Sequence, residues 1–237
     1  MLPKAAVVVP TYNEAENLPA LVKAIRALGY DLFVVDDNSR DGTGDIADRL
    51  AAADAAITVI HRPEKKGLGP AYAEGFAAAI ASGVEVVCQM DADFSHDPAA
   101  LPELLAVVAD GADVAIGSRY VPGGSVPGWP FYRRWLSQFG NRYARFMLGT
   151  PIQDMTSGFR AYRSDVLSSL QPATCEASGY GFQVEMAGRC HEAGVRITEI
   201  PISFRDREKG DSKMTAWIAA EAMFLVTVWG LRRRIGR

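Results

Sequence analysis

The chain has 237 residues, enough to bury a sizeable core as one large α/β domain or one domain with an appendage. Hydrophobic residues make up 49% and charged residues 22%, as in a soluble globular protein at the apolar end of the ordinary range. A net charge of −3 lacks the basic excess of a nucleic-acid binder, and three dispersed cysteines argue against a disulfide framework or a zinc site. Those cysteines (Cys88, Cys175, Cys190) suit a reducing compartment. No signal-peptide pattern precedes the first strand-like run, and no window holds the roughly 20 uninterrupted apolar residues of a membrane span. The chain is therefore expected to be cytoplasmic, with its C-terminus as the part that meets a membrane.

In chain order, Val/Ile-rich runs alternate with Ala-rich amphipathic stretches. Strands are predicted over residues 5–9, 32–35, 57–60, 84–90 and 114–117, and helices over 16–28, 44–53, 71–81 and 99–109. This β-α-β-α order predicts a mainly parallel sheet with helices on both faces. Residues 121–130 form a Pro/Gly-rich loop too long for an idle connection. A basic, aromatic helix is predicted over 132–147, another helix over 182–193, a strand over 196–202 and an apolar helix over 214–231. The expected division is a catalytic domain over 1–213, with 121–213 as its acceptor side, and a C-terminal helix with a basic tail over 214–237.

The fourth strand ends abruptly on Asp91-Ala92-Asp93. Carboxylates at the rim of a core need a cation, donors or water, and an Asp-x-Asp pair can hold one hard divalent ion that in turn holds a diphosphate. On a parallel sheet this edge is also where ligands bind. Taken alone, the tripeptide fits a solvated acidic turn equally well. Pro10-Thr11-Tyr12-Asn13-Glu14 follows the first strand: Pro10 is expected to end it, Tyr12 to stack on a flat ring and Glu14 to accept from a base or ribose. The same residues also suit a helix N-terminus. After the second strand, Asp36-Asp37-Asn38-Ser39 and Asp41 fit a turn satisfying local backbone donors, with Asp37 as the residue assigned to ligand.

Arg119 closes the fifth strand, where it can bridge to the aspartates, bind phosphate or form a structural ion pair. Arg133, Arg134, Ser137, Arg142 and Arg145 share the aromatic helix with Trp135 and Phe139, a pattern for a membrane surface or for an ordinary packed helix. Arg207 and Lys213, around Gly210, lie in a charged run that can fold over a diphosphate or stay solvated. The C-terminal apolar segment ending in Arg232-Arg233-Arg234 fits an interfacial helix or a dimer contact. No role is assigned to Lys65 and Lys66, and none of His61, His96 and His191 is read as a base or ligand. No Gly-x-Gly-x-x-Gly follows the first strand, which weakens a Rossmann oxidoreductase reading.

Together, residues 10–14, 36–39, 91–93, 117–120 and 207–213 resemble the family 2 glycosyltransferases of the A-type fold. More narrowly, the chain resembles the dolichyl- and polyprenyl-phosphate mannose synthases, through Asp91-Ala92-Asp93-Phe94-Ser95-His96, Gly179-Tyr180-Gly181-Phe182-Gln183-Val184-Glu185-Met186 and Pro201-Ile202-Ser203-Phe204. The similarity runs over residues 7 to about 214. It implies GDP-mannose as donor and dolichyl or polyprenyl phosphate as acceptor. Pro10, Tyr12, Glu14, Val35 and Asp37 would hold the guanosine. Asp91, Ala92 and Asp93 would meet the diphosphate, the carboxylates through Mg²⁺ or Mn²⁺. Arg119, Arg207 and Lys213 match positions at the phosphates, and Arg133 and Ser137 match positions near the lipid phosphate; Asp93, Arg119, Arg133 and Arg207 would carry catalysis. The compact chain implies peripheral binding on the cytoplasmic face of a membrane, or a membrane-anchoring protein partner. Rival readings are transfer of another sugar, such as glucose from UDP-glucose, and a non-catalytic membrane-associated protein on the same fold.

Overall fold

Period-two alternation in the first strand divides the molecule into two apolar layers. Within β1 (Ala5–Thr11), Ala6 and Val8 belong to one layer, while Ala5, Val7 and Val9 belong to the other. The computed structural model describes residues 2–179, 181–206 and 216–235.

The remaining strands are β2 (Asp31–Asp36), β3 (Ile57–His61), β4 (Val86–Gln89), β5 (Val114–Ser118), β6 (Arg160–Arg163) and β7 (Ile197–Pro201). They form one seven-stranded sheet in the order β3-β2-β1-β4-β6-β5-β7. Only β6 runs antiparallel, paired to β4 on one side and β5 on the other. On one face lie α1 (Leu18–Ala27), α2 (Thr43–Ala53) and α4 (Leu101–Ala109), which contribute Leu18, Leu21, Ile25, Ala47 and Leu104 to their layer. The other face is covered by α3 (Leu68–Ala81), α5 (Phe131–Leu148), α6 (Ser164–Ser169) and α7 (Gly181–Glu192). Helix α8 (Ala216–Ile235) packs on α5 and α7.

Helix α3 lies so close to the sheet that a Cβ on Gly75 would stand 2.3 Å from Val8 Cγ1 and 2.8 Å from Val35 Cγ2. Only glycine permits that approach. Helix α3 starts one turn earlier than its periodicity predicts, and α1 starts two residues later, after a turn closed by Asn17 and Leu18 N–H groups on the Glu14 carbonyl. Contrary to expectation, Pro10 does not end β1, which continues to Thr11. Pairing with β4 stops at Val8 while pairing with β2 continues, so the missing N–H of Pro10 interrupts no ladder.

The loop over 121–130 is not idle: the Ser125 N–H donates to the Ile202 carbonyl and its own carbonyl accepts from the Phe204 N–H. Strand β6 and helix α6 were not anticipated at all. Because β6 is antiparallel, its N-terminal end lies at the carboxyl edge of the six parallel strands, and the loop over 150–159 arrives there with it.

Candidate active site

Asp91 and Asp93 follow β4 at that carboxyl edge, where β1 and β4 are neighbours while the chain between them crosses to β2 and β3. The Asp91 side chain is 30% exposed and Asp93 is buried. Tyr72 of α3, fully buried, donates its hydroxyl to Asp91 Oδ1 at 2.8 Å. Burial and then the Asp91 charge hold that phenol well above its ordinary pKa, so it stays a donor. His96 faces Asp91 from the other side, its Nδ1 4.0 Å from Asp91 Oδ2 and 3.5 Å from the Asp91 N–H. Burial pushes the imidazole down to about 4 despite the nearby Asp93. His96 is therefore neutral near pH 7 and contributes shape, stacked on Phe159 at 5.1 Å, rather than charge.

These residues suit a divalent cation completed by substrate. Both carboxylates offer hard oxygen ligands, and among the described residues no group of three or more His, Cys, Asp or Glu forms a closed cage. Mg²⁺ in particular is commonly held by one or two carboxylates plus phosphate oxygens. The space beside Asp91 is kept open by Gly158, on which a Cβ would sit 3.3 Å from Asp91 Oδ2 and 3.4 Å from Oδ1.

The expected nucleoside residues line up along the ends of β1 and β2. Tyr12 is half-buried with Lys65 Nζ 3.6 Å over its ring, a cation–π contact that the sequence reading left unassigned. Buried Glu14 accepts from Asn17 Nδ2 at 2.8 Å. The Val35 side chain is fully buried in the core beneath α3, so any contact it makes with a nucleoside is through its backbone. Asp37 is buried too, accepting from Arg62 Nη1 at 2.5 Å and from the backbone N–H groups of Lys66 and Gly67 at 3.1 and 3.0 Å. A carboxylate accepts about four hydrogen bonds, so three protein donors leave Asp37 one position for a ligand. Asp41 accepts from the local Thr43 N–H as expected, but it also accepts from Ala15 N–H and Ser39 accepts from Asn13 N–H, both 26 residues back in the loop after β1.

Arg119 takes the structural ion pair among its expected alternatives. Its guanidinium pairs neither with Asp91 nor with Asp93 but forks onto Asp154, from Nε at 2.7 Å and Nη2 at 2.6 Å. Burial alone would raise the Asp154 carboxyl; the Arg119 charge and hydrogen bonds outweigh it and hold the group below its ordinary value. Tyr120 and Phe204 each flank the guanidinium at 5.2 Å. The supporting loop is itself fastened from below. Glu199 accepts the N–H groups of Gln153 and Asp154 at 2.6 and 2.9 Å, and fully buried Arg160 donates to the carbonyls of Ser157 and Met155 at 2.8 and 2.9 Å.

Arg133 donates to Asp206 at 2.7 Å and lies 4.1 Å over the Trp129 ring, while Ser137 accepts from the Tyr120 hydroxyl at 2.6 Å. The fold thus brings Arg119, Arg133 and Ser137 together through Tyr120 and Trp129. Arg207 and Lys213 lie outside the described residues. Sequence reasoning missed Tyr72, Asp154, Gly158 and Arg160; the polar run from Gln153 to Gly158 ahead of a short strand was the available signal for two of them.

A mostly parallel α/β sheet with a carboxylate pair at its topological switch point defines the class of nucleotide-sugar-dependent transferases of the A-type fold. The sequence model described as "Glycosyl transferase family 2" matches residues 6–171, and the chain belongs to that family. It is 47% identical to a polyprenol monophosphomannose synthase from Mycolicibacterium smegmatis, covering 99% of this chain and 89% of that protein. It is 48% identical to an undecaprenyl-phosphate mannosyltransferase from Micrococcus luteus, over 96% of this chain and 94% of that one. Among solved structures it resembles a mannosyltransferase from Pyrobaculum calidifontis in complex with GDP-mannose and Mn²⁺. That match has a TM-score of 0.59 and 20% identity, over 98% of this chain and 72% of the other, a likeness of fold.

Proposed function

We propose that the chain transfers mannose from GDP-mannose to a polyprenyl phosphate, releasing GDP and inverting the anomeric carbon. The observation that carries this reading is Asp91 and Asp93 at the end of β4, oriented by Tyr72 and opened by Gly158, in a chain so similar to two polyprenyl-phosphate mannosyltransferases. Asp91 and Asp93 would hold Mg²⁺ or Mn²⁺, which supplies positive charge to the departing diphosphate. Tyr12, Glu14 and the remaining position on Asp37 would bind the guanosine, with Pro10 shaping the strand end and the Ala92 backbone facing the diphosphate.

The acceptor phosphate oxygen attacks the anomeric carbon from the face opposite GDP. A new carbon–oxygen bond forms as the bond to the β-phosphate oxygen breaks, and the electron pair leaves with GDP. The acceptor needs no strong protein base, because the second pKa of a phosphate monoester is about 6. That agrees with a neutral, buried His96 beside Asp91. Arg133, Ser137 and Arg119 would position the acceptor phosphate and screen its repulsion from the donor, with Arg207 and Lys213 completing the phosphate contacts.

The acceptor's lipid places this chemistry at a membrane surface. Helix α5 exposes Phe131, Tyr132, Trp135, Leu136 and Phe139 on one face, and α8 exposes Phe224, Leu231 and Ile235. No helix among the described residues is long and apolar enough to cross a membrane. The expected basic anchor is partly engaged within the protein, since Arg232 pairs with Glu176 at 2.9 Å and Arg233 with Glu192 at 3.1 Å. Apolar insertion therefore carries more of the proposed attachment than the terminal arginines. The catalytic unit would extend over 1–213, with the C-terminal segment that contains α8 facing the membrane, on the cytoplasmic face.

The reading is tested by following label from GDP-[³H]mannose into polyprenyl phosphate. Label in the lipid phase is the expected result. Label transferred only from UDP-glucose would replace mannose by glucose.

A further inference from the structure

Gln183, in the first turn of α7, is 1% exposed, yet neither Nε2 nor Oε1 has a hydrogen-bond partner among the described residues. Among the described residues it is the one side chain with two buried polar atoms unpartnered, whereas Gln89, Ser95 and Arg145 leave one atom each. Asp154, Asp37 and Arg160 each make three or more bonds, and Glu185, on the same helix, accepts the N–H groups of Glu176 and Ala177. A wholly unpartnered buried carboxamide is costly, and one beside a carboxylate site points to a partner that arrives from outside the chain.

Its location identifies that partner. A Cβ on Gly158 would stand 3.5 Å from Gln183 Nε2 and 3.3 Å from Asp91 Oδ2, so the amide and the carboxylate border the same small space. Phe182, the preceding residue, stacks on Tyr72 with centroids 6.1 Å apart and planes within 8°, and Tyr72 in turn holds Asp91. The aromatic pair fixes the α7 first turn and the Asp91 carboxylate in one frame. A carboxamide presents a donor and an acceptor side by side. Phosphate oxygens would satisfy only the donor and a metal ion only the oxygen, whereas sugar hydroxyls satisfy both.

We propose that Gln183 hydrogen-bonds the hydroxyls of the donor's hexose ring and is a specificity-determining residue. This rests on the reading of Asp91 and Asp93 as the diphosphate site. The hexose is joined directly to the β-phosphate, so a diphosphate anchored there delivers the sugar to the space above Gly158.

The test compares wild type with Gln183→Met, which keeps volume and loses both polar atoms, and Gln183→Glu, which keeps shape and loses the donor. GDP affinity in the presence of Mn²⁺ is measured by calorimetry, kcat/KM for GDP-mannose and GDP-glucose by transfer to polyprenyl phosphate, and folding by thermal unfolding. Both variants are expected to bind GDP within about twofold of wild type. They are expected to lose about a hundredfold in kcat/KM for GDP-mannose and most of the preference between the two epimers. Gln183→Met should unfold at or above the wild-type temperature, since it removes an unpaired buried amide. An unchanged epimer preference in folded variants would overturn the proposal, as would a loss of GDP affinity as large as the loss for GDP-mannose. A wild-type protein that binds GDP but transfers neither sugar would instead overturn the donor reading on which the proposal stands.

Discussion

Arg119 and Asp154 form a bidentate pair across 35 residues of sequence, with their side chains 8% and 0% exposed. The pair fastens the end of β5 to the loop entering β6, and so joins the parallel part of the sheet to the one strand that runs against it. Asp154 also accepts the Arg119 backbone N–H at 2.9 Å.

Asp154→Asn leaves a buried guanidinium without its counter-charge, and should destabilise the fold by about 3–5 kcal/mol. Urea unfolding followed by fluorescence measures this. Because the Asp154 carboxyl is held below its ordinary value, its contribution is fully present above the unfolded carboxyl range. It is lost as pH falls through the lowered folded value. The stability gap between wild type and Asp154→Asn should therefore be constant near neutrality and narrow below about pH 4.

Gly158→Ala places a methyl group 3.3–3.4 Å from both Asp91 carboxylate oxygens, while nothing in the surrounding core needs to move as far. The neighbour that gives way is the carboxylate itself. Turnover should fall by at least about tenfold, since small misplacements at a reacting centre are costly. The midpoint of unfolding should change little. Wild-type turnover in this variant would mean that Asp91 does not need the position it holds here.

The exposed aromatic face of α5 should carry membrane attachment. Trp135 and Phe139 stack at 5.5 Å and are 57% and 47% exposed, so replacing both with Ser removes apolar surface without opening the core. Sedimentation with vesicles should show the double variant shifted to the supernatant, with transfer to a water-soluble short-chain acceptor retained. Added salt should weaken binding far less than this substitution, because part of the terminal basic charge is paired within the protein.

The strands that the sequence reveals are those whose side chains announce burial. β1, β2 and β4 carry Val runs followed within a few residues by Pro10, Asp36 and Asp91, so this sheet edge and the Asp91–Asp93 pair were legible together. Strand β6 was hidden because Arg160-Ala161-Tyr162-Arg163 carries a charge at each end. Arg160 is nonetheless fully buried, its guanidinium hydrogen-bonded to carbonyls of the loop before it. Without β6 there was no reason to bring residues 150–159 to the site, so the structural ion pair open to Arg119 had no named partner. Asp37 was read as free for ligand because nothing local forecasts Arg62, 25 residues onward in the chain. Helix faces were clearer than helix ends: α1 presents the predicted Leu18, Leu21, Val22 and Ile25, yet its start depends on the turn at Glu14.

The central claim is that Asp91 and Asp93 hold the donor diphosphate through a divalent ion. It is tested most directly by measuring mannose transfer to polyprenyl phosphate for wild type and Asp93→Ala, each with Mn²⁺ and with chelator. The wild type should turn over only with metal, and Asp93→Ala should lose at least about a hundredfold with metal present while unfolding at a similar temperature. Metal-dependent turnover at the wild-type rate in Asp93→Ala would contradict the account.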